Sequence, residues 1–147
     1  MRAVPFLSAL LLAYSGATHA ALGGPAEQFA TDGTAMVSSV SAAGPNYLIR
    51  DTTLATGTQV REYISDSGLV FALTWNGPML PDLKALLGKY FDTMVAESAR
   101  MPRAGRSRIA IDVPEVVINS GGHMRAFEGS AWVPAQFPAG FTAADLR

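Results

Sequence analysis

The sequence predicts an α+β fold: a single antiparallel sheet of about five strands, ordered β-β-β-α-β-β, with one amphipathic helix packed on one face. Three observations predict it. Segments rich in β-branched and aromatic residues run from Tyr47 to Asn76 with only short turns between them, and short connections imply antiparallel neighbours. One segment, Pro81 to Arg100, spaces its apolar residues as a helix does. Strand-like texture then returns from Ile109 to Val133. Strands on both sides of one helix, joined by hairpins, belong to the α+β class.

Tyr47 to Leu54 (YLIRDTTL) is the first strand and Ala55-Thr56-Gly57 its turn. Thr58 to Ser65 (TQVREYIS) is the second, closed by Asp66-Ser67-Gly68, where glycine accepts positive φ. Leu69 to Asn76 (LVFALTWN) is the third. Alternation places Leu69, Phe71, Leu73 and Trp75 on one face, and Val70 and Ala72 make the other partly apolar, as in a central strand. Gly77-Pro78 ends it. Pro81 and Asp82 suit a helix start, and Leu83, Leu86, Leu87, Tyr90, Phe91, Met94 and Val95 form a continuous stripe that needs a sheet to cover it. Arg100 to Arg108 (RMPRAGRSR) reads as a loop. Ile109 to Val113 is a fourth strand, interrupted by Pro114 as at an edge or a bulge, and resumed from Glu115 to Ile118. Asn119-Ser120-Gly121-Gly122 has the composition of a hairpin turn, with His123 to Val133 as the last strand.

The ends of the 147-residue chain read differently. Arg2, the apolar run Phe6 to Tyr14 and Thr18-His19-Ala20 have the three parts of a cleavable signal peptide, residues 1–20, cut between Ala20 and Ala21. The apolar run falls well short of the ~20 residues of a membrane-spanning helix, and no other stretch is long and apolar enough to span. With no cysteine in the chain, a lipid-modified cysteine and disulfide staples are both excluded, so packing alone must stabilise the fold. The expected location is the periplasm or the medium. Residues 21–45 read as an extended Gly/Ala/Ser-rich arm, in which Thr34 to Ser41 can form a short strand or pair with an edge. Residues 46–135 form the α+β domain, and 136–147 an irregular C-terminal tail.

Without Arg2, ten basic residues face twelve acidic ones. That balance gives no electrostatic basis for nucleic-acid binding, and the 49% hydrophobic composition argues against disorder.

The segment LVFALTWNGPMLPDLKALLGKYF (Leu69 to Phe91), with REYIS before it, SGGHMRAFEGSAWVP after it and Ala21-Leu22-Gly23-Gly24 at the mature start, resembles a family of exported Gram-negative proteins known as domain of unknown function 2844. The resemblance covers nearly the whole mature chain. It implies an exported protein of about this size and brings no activity, substrate or catalytic residue.

Candidate chemistry is sparse. His123 is the single histidine of the mature chain; it can act as a general base or contact an anion, or simply open a strand beside a turn. No nucleophile motif, phosphate loop or metal-ligand set accompanies it, so neither metal nor cofactor is expected. Arg100, Arg103, Arg106 and Arg108 can grip an anion or form a solvated loop. Tyr63, Trp75 and Trp132, with His123 and Arg125 nearby in sequence, can form an aromatic binding platform or be core. Asp112, Glu115 and Glu128 can meet across the last hairpin. The reading is a non-catalytic envelope or secreted factor that binds a protein partner or small ligand. The alternatives are a small periplasmic hydrolase with His123 as base and a structural accessory to a neighbouring exported protein.

Overall fold

The structure, a computed structural model, describes residues 21–26, 46–101 and 108–147, together with the backbone of 35–44. The segment 1–20 expected to be a signal peptide, Arg103 and Arg106 lie outside the described residues. Among the described residues, seven strands form one antiparallel sheet: β1 (Ala35–Gly44), β2 (Tyr47–Leu54), β3 (Gln59–Ser65), β4 (Val70–Gly77), β5 (Ile109–Val113), β6 (Val116–His123) and β7 (Ala126–Trp132). Their spatial order is β1-β2-β3-β4-β7-β6-β5. Helices α1 (Leu83–Leu87) and α2 (Phe91–Arg100) pack on one face. The predicted class therefore holds, with two strands beyond the expected five. One comes from the arm, as β1; the other comes from the division of the last segment into three.

That division corrects the expected hairpin at Asn119–Gly122. Those residues lie inside β6, and the turns fall at Pro114-Glu115 and Met124-Arg125. Gly122, at φ 123°, fits where a side chain would strike the Ala126 carbonyl and Phe127. Gly122 thus serves a close strand approach. The turn itself uses Arg125 at φ 71°, a residue that rarely adopts the left-handed region and so gives no sequence signal.

A second correction concerns β4. The register shifts between Tyr63 and Ile64, where two β4 residues stand against one of β3, as at a β-bulge. Phe71 is thereby turned to the face opposite Leu73 and Trp75, whereas simple alternation puts all three together.

The helical layer follows the predicted stripe with a break. Asp82 caps α1 by accepting from the Lys84 and Ala85 amides. Gly88 ends it at φ 52°, a single 3₁₀ turn spans Gly88–Tyr90, and α2 resumes. A side chain at Gly88 would stand 2.6 Å from the Ala21 Cβ, so glycine is required there. Leu83, Leu86, Leu87 and Met94 enter the core with Val60, Leu73, Trp75, Ile118 and Ala131. Val95 stays 51% exposed beside Met94, the buried residue of α2. Leu87→Ala should accordingly cost about 2–5 kcal/mol, whereas Val95→Ala should stay within about 0.5 kcal/mol. Urea denaturation of the two variants checks the pair.

Residues 21–26 close this core. Leu22 is buried and donates its amide to the Leu86 carbonyl, and Gly23, Gly24 and Ala26 hydrogen-bond to Val70 and Gly68. The segment ties α1 to the start of β4. Beneath it lies an ion pair, Arg50 to Glu62 at 2.6 Å, with Arg50 also donating to the Ala26 carbonyl.

The opposite face is only partly covered by the described residues. The tail after β7 lays Phe137, Phe141 and Leu146 against Tyr47, Ile49, Tyr63, Phe71 and Trp132. Phe141 meets Phe71 edge-on at 4.9 Å and Tyr47 at 5.1 Å, the arrangement that ring quadrupoles favour.

Candidate functional site

The helix-free face is organised in cross-strand rows set by the register. One row runs Ile49–Tyr63–Ala72–Trp132–Val117, the next Asp51–Arg61–Thr74–Ser130–Asn119, and the third Thr53–Gln59–Asn76–Glu128–Gly121. The first row is apolar, and the tail packs against it. The other two rows are polar, and among the described residues only Arg147 reaches over them. Arg147 lies at their boundary: its amide donates to the Tyr63 hydroxyl at 2.9 Å, and its carbonyl accepts from Tyr63 and from Thr74 at 3.2 Å each. Alternation along the strands sets which side chains share this face, although the opposite face also buries Arg50, Thr52, Glu62 and Ser120.

The two polar rows floor a concave groove of about 750 Å³, with Arg108 and Arg147 at its margins. The side chain of Arg108 crosses Gly121, its Cγ 3.7 Å from where a Cβ would begin. Asp51 accepts two bonds from Arg61, at 2.6 and 3.1 Å. That hydrogen bonding, ahead of the charge attraction, holds the Arg61 guanidinium still more firmly protonated. Both partners are over a third exposed, so the pair orients Arg61 more than it stabilises the fold. Between these charged margins, Gln59, Thr74, Asn76, Asn119 and Ser130 offer amides and hydroxyls, groups that both donate and accept.

The residues singled out from sequence are dispersed. Trp75 is buried beneath the helices, Tyr63 is buried under the tail, and Trp132 is half-buried beside it. Trp75 and Trp132 therefore stand on opposite faces, and the three aromatics form no common surface. His123 and Arg125 are exposed at the β6–β7 turn. The His123 Nδ1 lies 3.3 Å from the Met124 carbonyl oxygen. Among the described residues, neither a serine nor a carboxylate is hydrogen-bonded to the ring. Of the arginine loop, exposed Arg100 pairs with Glu97 one helical turn back, and Arg108 joins the groove. Asp112, Glu115 and Glu128 do not meet: Asp112 stands opposite Val117, Glu115 lies in the turn, and Glu128 lies between Asn76 and Gly121. No cluster of three or more His, Asp or Glu side chains suited to a metal occurs among the described residues. No helix among them is long and apolar enough to cross a membrane.

Of the groove's lining, the sequence pointed to Trp75, Arg108 and Glu128, each in another role, and passed over the polar residues between them. Their signal was present as polar residues two apart in adjacent strands, Gln59 and Arg61, Thr74 and Asn76, Glu128 and Ser130. That pattern is also the ordinary solvated face of a half-buried sheet; pairing register and the tail's footprint are what make it a bounded surface.

The chain belongs to the family described as Protein of unknown function (DUF2844), whose profile matches residues 18–146. No curated protein and no solved structure was found to match it.

Proposed function

We propose that this member of the family is an exported, non-catalytic binding factor of the bacterial envelope, and that its contact surface is the polar half of the helix-free sheet face. One observation carries the reading: the tail covers the apolar row and leaves two rows of hydrogen-bonding side chains as a groove of about 750 Å³. Such a volume suits a small ligand or an extended segment of a larger one. Acid–base or nucleophilic catalysis requires converging titratable groups, and His123 stands at a turn with a backbone carbonyl as its partner. The three-part leader supports export.

Tagged protein recovered from the periplasm or medium, with Ala21 expected as its first residue, is the reagent for the test. Its capture from envelope fractions should fall sharply in Asn76→Ala and Asn119→Ala, while thermal stability stays within about 0.5 kcal/mol of the parent. Undiminished capture by both variants would refute the groove as the contact surface.

A further inference from the structure

Resting on the groove as the contact surface, the geometry points to a ligand class: a neutral oligosaccharide, laid across strands β3, β4, β7 and β6. Charge provides the first argument. The groove's charged residues are Asp51 and Glu128 against Arg61, Arg108 and Arg147, and Asp51 is already committed to Arg61. A polyanion would meet both carboxylates, and a polycation would meet three guanidinium groups. Neither finds a field of one sign.

Chemistry is the second argument. The central side chains, Gln59, Thr74, Asn76, Ser130 and Asn119, are uncharged amides and hydroxyls, which match the paired donor and acceptor character of sugar hydroxyls. Of the aromatic rings of this face, Tyr63 and Phe71 are packed under the tail and Trp132 is half-buried beside it and outside the groove's lining, while Trp75, which borders the groove, is 2% exposed and joins the core under the helices. The floor therefore suits neither an acyl chain nor an apolar small molecule. Placement is the third. An added peptide strand is recognised along a sheet edge, whereas these groups lie on a face. They repeat about every 4.8 Å across strands and about every 6.8 Å along them, a lattice suited to a ligand with polar groups along its whole length.

Hydrogen bonds exchanged against water contribute little net free energy, so single-site affinity should be weak and independent of salt. The test is titration of isotopically labelled mature protein with maltotetraose, cellotetraose and, for contrast, a tetrauronate. The expected result is saturable shifts of the Gln59, Asn76 and Asn119 side-chain amide resonances with a neutral sugar. Asn76→Ala and Gln59→Ala should each weaken binding about fivefold, and added sodium chloride should change nothing. Absence of saturable shifts with both neutral sugars overturns the inference. So does neutral-sugar binding that the variants leave intact, or tighter, salt-sensitive binding of the tetrauronate. Envelope capture separates the two levels of argument. If the groove variants lose capture but neutral sugars fail, the ligand class falls and the groove stands; if capture survives the variants, the groove itself falls.

Discussion

Gly129→Ala is expected to destabilise the protein by more than about 3 kcal/mol, beyond the usual cost of an added methyl group in a packed core. Gly129 stands opposite Trp75 in the β4–β7 pairing and Ser120 in the β6–β7 pairing. A Cβ there would overlap the six-membered ring of Trp75 and come 2.5 Å from the Asn119 carbonyl oxygen. The indole has nowhere to go: it is 2% exposed and enclosed in the helix-side core. The strand carries glycine because the tryptophan lies across it. Trp75→Leu should recover part of the loss in the double variant, since only the ring overlap is relieved. Urea denaturation of the four proteins of the cycle measures both effects, and wild-type stability in Gly129→Ala would refute this packing.

The second large effect concerns Arg50 and Glu62, which are 6% and 1% exposed. Arg50→Ala should cost about 3–5 kcal/mol, because it strands a carboxylate in the core. Replacing the pair together, by Arg50→Met and Glu62→Leu, should cost far less, since two charges no longer need desolvation. A double-mutant cycle by chemical denaturation checks the contrast; equal losses in the single and double variants would contradict it. Burial pushes the Glu62 carboxyl above its ordinary value, against the opposing pull of Arg50. An acid raised on folding binds its proton more tightly in the native state. Its contribution to stability is therefore complete below the ordinary glutamate range and is lost as pH rises through the raised value. Relative to Glu62→Gln, the parent should gain stability on acidification through that window.

The sequence made the fold legible where one period dominated. Tyr47 to Leu54 is β2 with the predicted bounds, and Leu83, Leu86, Leu87 and Met94 lie in the core as their helical spacing requires. It was misleading where a local signal served a distant contact. Gly121-Gly122 reads as a turn, but Gly122 answers the close approach of Ala126 and Phe127. Phe71 reads as a partner of Trp75 until a bulge separates them. The groove was hidden for a related reason. Its residues come from five strands, β2, β3, β4, β7 and β6, and what separates them from ordinary surface is the course of Pro134 to Arg147. A segment of irregular texture carries no periodic signal of where it will lie.

The central claim is that the two polar rows are the contact surface. It is tested most directly by the side-chain amide and hydroxyl-bearing residue resonances of labelled protein mixed with solubilised envelope fraction. Perturbation should be confined to Gln59, Thr74, Asn76, Asn119 and Ser130 and their row neighbours, with the helix face and the β6–β7 turn unchanged. Perturbation centred on α2 or on His123 and Arg125, with the rows silent, would contradict it.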